Sequence, residues 1–283
     1  MCYEQRPCNI ISLIYGLYIY GCEGVERLML VHSVKHETLS VLSVGSRASR
    51  DLAVWDVQQA RLQFSLDVGH SLDFTVISTV HKAVICGDAD SGAITAVSLT
   101  GGSVEHTSVA AEYRGMTDMA VCDDSVFVAT PSSDVMILSV SRGDVTGHLR
   151  DPGRPSVPTK LLASGRRAGQ LVVGYQHGLV VIFDVVTQTV IRSLPGHSAR
   201  INSLHLLATG QLISAADDRR AIIWNDQDPD DVAMETGMWA ESAVRGDSGV
   251  KFDACCYTLD GSQRLVYAGV SGGDVQVWDA ETG

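Results

Sequence analysis

Six short alternating apolar segments recur along this chain at nearly constant intervals, and that periodicity limits what it can fold into more than any other feature. The segments are DLAVWD, AITAVS, DVMILS, LVVIFD, AIIWND and DVQVWD. Trp55, Val97, Leu138, Phe183, Trp224 and Trp278 hold the same place in each, with successive spacings of 42, 41, 45, 41 and 54 residues. Alternation sends successive side chains to opposite faces of an extended strand, so each segment reads as a β-strand. A period of this length belongs to stacked supersecondary units, none of which can bury its apolar face alone.

The unit at 194–226, LPGHSARINSLHLLATGQLISAADDRRAIIWND, is the most complete. It opens on Gly196-His197 and places Ile201, Ser203, His205 and Leu207 on one side of an inner strand. A second strand follows at 211–215, a tight turn at 217–220, and a third strand at 221–225 on which Ile222 and Trp224 share a face. Gly-His at the head and Trp-Asn-Asp at the tail resemble the WD-repeat family. The resemblance implies one four-stranded antiparallel blade of a β-propeller. It also implies a buried hydrogen-bonded chain joining the His, a second-strand Ser or Thr, the turn Asp and the third-strand Trp, which here are His197, Ser214, Asp218 and Trp224.

A serine, a histidine and an aspartate in one small unit also invite comparison with a hydrolase triad. The serine lies in a strand with no G-x-S-x-G turn, and nothing nearby would form an oxyanion hole. Buried polar groups need partners, and this set supplies them to one another. The expectation is a structural tetrad and no catalytic residue.

The remaining units keep the rhythm with fewer of the motif residues. In the first, strands are expected at 27–34, 38–44, 51–57 and 61–66, with a turn at 46–50. Gly69-His70 opens the second, with strands at 83–87 and 94–99 and a turn carrying Asp88 and Asp90. The third, 116–145, retains only alternating strands. Gly147-His148 is expected to open the fourth, followed by a loop, LRDPGRPSVP, whose three prolines cannot sit in central strands, and by strands at 160–164, 171–175 and 179–184. His177 stands where the resemblance places the turn Asp. The last unit, 250–279, has three strands and no fourth, and the apolar run at 9–21 is the candidate to complete it.

The chain as a whole, 1–283, is therefore expected to be a single all-β domain, a β-propeller of four-stranded antiparallel blades with six repeats counted and six or seven blades. The interval between Trp224 and Trp278 exceeds the others, and the excess falls at 226–248, an inter-blade insertion rich in Asp and Glu. A solvated acidic loop is expected there. Pro229 and the lack of a distal Glu argue against a calcium loop.

Composition narrows the function. With 21 basic and 33 acidic residues the net charge is −12, which repels phosphate backbones and anionic membranes. Nucleic acid is not an expected partner. The run at 9–21 is too short to span a bilayer, and with Glu4 and Arg6 ahead of it and no small-residue cleavage site it reads as propeller strand rather than as a signal peptide. Seven cysteines without C-x-x-C spacing suggest reduced thiols in an intracellular, cytoplasmic protein, with the nucleus left open. No metal or other cofactor is expected.

Three narrower resemblances are incomplete. IIWND followed by a long insertion is similar to WD-repeat proteins that carry a FYVE zinc finger before their last blade, but the finger's cysteine clusters are absent. The W-D-x-R motif of cullin-ligase receptors is absent too, and Arg166-Arg167 is a poor echo of the paired arginines of lipid-binding propellers.

Loops on a rigid scaffold do the recognition. The resemblance implies a rim of turns carrying Arg47, Arg50, Asp88, Asp90, Ser132, Asp134, His177, Arg219 and Arg220. This mixed-charge rim suits proteins or peptides in a multiprotein complex, and no homo-oligomer is implied. The expected function is a non-catalytic scaffold for protein-protein interactions; the alternatives are a propeller enzyme or sugar-binding lectin, or an incomplete propeller fragment.

Overall fold

The computed structural model describes residues 25–32, 39–45, 50–56, 59, 61–151, 153, 155–163, 169–206, 212–224, 235–239, 252–260, 263–270 and 275–279. For 25–32, 39, 41, 235–239, 252–260, 263–270 and 275–279 it is the strand backbone that is described, together with an exposed Val277. Among these residues the regular structure is β-strand, apart from one 3-10 turn at Ala111–Tyr113. The chain divides into two compact units, residues 1–115 with 140–144, and residues 116–139 with 145–283.

The first unit holds two four-stranded sheets. One is the meander β1 (Val25–His32), β2 (Leu39–Gly45), β3 (Asp51–Asp56), β4 (Arg61–Asp67); the other is β5 (Phe74–Ser78), β6 (Ala83–Asp88), β7 (Ala93–Ser98), β8 (Val104–Val109). Every pairing is antiparallel between strands adjacent in sequence, as short hairpin connections require. Leu42, Val44, Leu52, Val54, Leu72, Val84, Cys86 and Val97 form one buried cluster, with Phe64, Leu66 and Ile77 against it.

The second unit repeats the plan with β9 (Asp118–Cys122), β10 (Ser125–Ala129), β11 (Val135–Ser139) and β12 (Val145–Leu149), then β13 (Pro158–Ala163), β14 (Gln170–Tyr175), β15 (Val180–Asp184) and β16 (Thr189–Leu194). Next come β17 (Ile201–Leu206), β18 (Leu212–Ala216), β19 (Ala221–Trp224) and β20 (Glu235–Trp239), and last β21 (Phe252–Asp260), β22 (Gln263–Val270) and β23 (Val275–Asp279). The middle strands are apolar on both faces because both faces are covered: β10, β11, β14 and β18 are buried almost throughout. The fourth strands alternate with solvent. Gly174 lets the sheets of this unit close up, since a Cβ there would lie 2.6 Å from Ile201 Cγ2.

A repeated irregularity marks the first four sheets more faithfully than their motif residues do. Opposite the third-strand Trp or its replacement, the fourth strand carries one extra residue: Gln63 opposite Val54 and Trp55, Glu105 opposite Ala96 and Val97, Thr146 opposite Ile137 and Leu138, Ile191 opposite Ile182 and Phe183. Such a bulge bends the strand and raises the local twist of the sheet.

Two sequence expectations are corrected. Gly147-His148 does not open a unit; it lies within β12, as the fourth strand of the third sheet. A Cβ on this glycine would displace the amide end of the exposed Gln188 side chain, which is free to move aside. Within the segment expected to be an acidic loop, Glu235–Trp239 is a strand, β20, paired with β19. The strands expected at 9–21 lie outside the described residues.

Candidate functional site

The sheet β17–β20 brings the four motif residues together. His197 precedes β17, Ser214 lies mid-β18, Asp218 sits in the β18–β19 turn and Trp224 ends β19. Ser214, Trp224 and His197 are 0, 2 and 7% exposed. The indole N–H of Trp224 donates to Ser214 Oγ at 2.8 Å, and Ser214 Oγ lies 2.8 Å from His197 Nε2. His197 Nδ1 is 3.0 Å from both oxygens of Asp218.

The donors and acceptors run in one direction. Facing a carboxylate, Nδ1 holds the proton of the neutral ring, so Nε2 accepts from the Ser214 hydroxyl, whose oxygen accepts the indole N–H. Burial alone would raise the Asp218 carboxyl, yet the imidazole and the backbone N–H groups of Ser198 and Arg220 hold it below the ordinary carboxylate range. The polar side-chain atoms of these four residues are thereby satisfied. A serine with no solvent exposure and its oxygen already hydrogen-bonded is not presented to a substrate.

Parts of this chain recur elsewhere. In the first sheet Trp55 Nε1 donates to Ser43 Oγ at 3.0 Å, and Ser43 is buried. In the second, His70 Nε2 meets Thr95 Oγ1 at 2.8 Å, and Thr95 bonds on to Thr107 at 3.0 Å. Thr95 sits opposite Cys86, which fills the position Ser214 occupies in its own sheet. The hydroxyl has moved one strand outward. In the fourth, Ser156 Oγ lies 2.6 Å from His177 Nδ1. Ser156 and His177 are 21 residues apart, as are His197 and Asp218, so the imidazole has taken the turn position and a hydroxyl the leading one. None of Ser43, Thr95 or Ser156 was singled out from sequence, although the 21-residue interval was there to find Ser156.

The Trp-Asp and Phe-Asp pairs also gain a cause. Asp56 Oδ1 accepts the N–H of Gln59 at 2.8 Å, and Asp184 Oδ1 that of Thr187 at 2.8 Å. In each case the carboxylate closes the hairpin into the fourth strand.

The expected rim residues differ in what they present. Arg219 is exposed, with φ +65°, and Arg220 is half-buried. Arg50 is exposed at φ +55°, its guanidinium 3.3 Å from Gly69 O. Asp90 and His177 are exposed. Asp88 instead is buried and folded into its own turn, accepting from the Asp90 and Ser91 N–H groups and the Ser91 hydroxyl. Asp134 is largely buried and gripped by two N–H groups of the Arg150 guanidinium. Arg47 and Arg166-Arg167 lie outside the described residues. Cys86 is buried and Cys122 half-buried; burial and the neighbouring Asp123 push the Cys122 thiol up, which disfavours the reactive thiolate. Among the described residues no group of three or more His, Cys, Asp or Glu could hold a metal ion, and no helix is long and apolar enough to cross a membrane.

Residues 188–225 match the family model "WD domain, G-beta repeat", the same residues that hold the buried chain. The fold is that of a β-propeller, and residues 188–225 are similar to a WD repeat. The chain is 28% identical over 149 residues to the mouse (Mus musculus) protein "NACHT domain- and WD repeat-containing protein 1", and 27% identical over 147 residues to the human (Homo sapiens) protein of that name. The two alignments cover 49 and 48% of this chain and 9% of each relative, so the chain matches less than a tenth of their length. Among solved structures it is similar to the β-propeller domain of Myceliophteria thermophila Cps50 (Swd1), with TM-score 0.68, 15% identity, and 91 and 87% of the two chains covered. It is also similar to the computationally designed Ika8 protein, with TM-score 0.60, 20% identity, and 92 and 72% covered. At these identities the structures show the fold. WD-repeat propellers are generally non-enzymatic and bind other proteins.

Proposed function

We propose that this chain is a non-catalytic scaffold that binds proteins or peptides through the turns of its sheets, in an intracellular, cytoplasmic multiprotein complex. The carrying observation is how the Asp218 turn is built. The His197–Ser214–Trp224 chain spends its imidazole, hydroxyl and indole inside the sheet, and Asp218 ties the turn backbone to it through Ser198 and Arg220. What this rigid turn offers outward is arginine. A preorganised surface loses little entropy on binding, and arginine is enriched where binding energy concentrates.

The test is affinity capture with Arg219→Glu/Arg220→Glu against the unchanged chain. The charge-reversed protein should melt cooperatively within a few degrees of the unchanged one and lose its captured proteins. An unchanged set of captured proteins rejects this face.

A further inference from the structure

Arg200 and Arg219 are both exposed, and among the described residues neither guanidinium has an ion-pair partner. The carboxylates beside them are engaged by other groups. Asp218 takes His197 Nδ1 and the N–H groups of Ser198 and Arg220, and Asp217 takes Asn202 Nδ2 at 2.7 Å. The two arginines are held on one frame, because the N–H of Asp217 donates to the carbonyl of Arg200 at 2.9 Å. The next turn packs on the same frame: a Cβ on Gly178 would overlap the His197 carbonyl and lie 2.9 Å from the Ala199 oxygen. In that turn Gln176 and His177 stand where Asp217 and Asp218 stand in this one, so it adds no carboxylate.

The backbone adds a second observation. Tyr175 N–H to Leu179 O and Ala216 N–H to Arg220 O close the two turns identically, which aligns Gly178 with Arg219. Glycine adopts the left-handed conformation there, φ +86°, without steric cost; Arg219 adopts φ +65° against its Cβ. Strain kept on an exposed side chain points to a use for that side chain. In a chain of net charge −12, the use is local attraction of negative charge.

We propose that Arg200 and Arg219 form a two-pronged receptor for neighbouring carboxylates on an acidic peptide segment of a partner protein. This rests on the scaffold reading and names the partner chemistry of that face. Each guanidinium can give a carboxylate two parallel N–H donors, which neither gives to any described residue.

The experiment is fluorescence anisotropy of the 283-residue protein with a fluorescein-labelled decapeptide of alternating Glu and Ser, against the matching Gln/Ser and Lys/Ser peptides. The Glu peptide should bind, weaken steeply as salt is raised, and exceed the Gln peptide by about tenfold or more. Arg200→Glu and Arg219→Glu should each weaken it about tenfold or more with the melting midpoint held. Arg219→Gly separates recognition from structure: it should weaken the peptide about tenfold while raising the midpoint, because the left-handed turn relaxes. Equal binding of Glu and Gln peptides, or full binding by the three variants, overturns the receptor. If the Arg219→Glu/Arg220→Glu protein still loses its captured partners while the Glu peptide fails to bind, the carboxylate reading alone falls; unchanged capture fells the face itself.

Discussion

The indole N–H of Trp224 ends on Ser214 Oγ at 2.8 Å, and the same bond, from Trp55 to Ser43, closes at 3.0 Å in a second sheet. The two differ in what lies beyond the hydroxyl. Ser214 continues to His197, while Ser43 Oγ has a carbonyl, Ala53 O, at 3.4 Å.

That difference sets an order of stabilities. Ser214→Ala leaves two buried polar atoms without partners, one on His197 and one on Trp224, and should cost about 2–4 kcal/mol; Ser43→Ala leaves one and should cost about 1–2 kcal/mol. Urea denaturation of the two variants gives the comparison. Equal losses would mean that His197 contributes nothing through Ser214.

Asp218 predicts a pH dependence of known sign. Its carboxyl is held below the ordinary value of 3.8, so its charged form is favoured by folding. The contribution is fully present above the unfolded value and is lost as pH falls through the lower native one. Asp218→Asn should therefore lower stability by a constant amount above about pH 5 and by a shrinking amount as the solution is acidified below that. Denaturation curves between neutral and acid pH measure it, and a gap that widens on acidification contradicts the assignment.

Tyr175 is 1% exposed and its hydroxyl has no hydrogen-bond partner among the described residues. Burial, with Asp151 and Asp134 adding repulsion, drives the phenol well above its ordinary range. Tyr175→Phe removes an orphaned polar atom and keeps the ring, so stability should rise by about 1 kcal/mol. A loss of stability in urea would show that the hydroxyl is satisfied after all.

Gly178 meets two constraints, a left-handed backbone and contact with the His197–Ala199 backbone. Gly178→Ala should cost roughly 2 kcal/mol or more. Thermal melting would show it, and a shift of less than a degree would contradict the close approach.

Much of this architecture was legible from period and alternation, because a buried strand must repeat its apolar pattern and a hairpin must spend turn residues at fixed places. Trp224, Asp218 and His197 were readable for the same reason: each has one chemical role at one spacing. Thr95 and Ser156 were not. A hydroxyl can reach an imidazole from either of two strands, and a serine and a histidine can exchange places across a hydrogen bond, so residue type at a single position misses them. The bulges at Gln63, Glu105, Thr146 and Ile191 escaped too, since an extra residue in a solvent-facing strand leaves the apolar rhythm of the buried strands unchanged. Gly147-His148 misled because a dipeptide does not say whether its glycine turns the chain or lies within a strand, as it does in β12.

The central claim is that partners meet the turn face and not the fourth-strand edge. Photo-crosslinking measures this directly, with a photoreactive residue placed at Arg219 in one protein and at the exposed Ile191 of β16 in another. The account predicts protein adducts from position 219 and few from 191; adducts confined to 191, or equal at both, would contradict it.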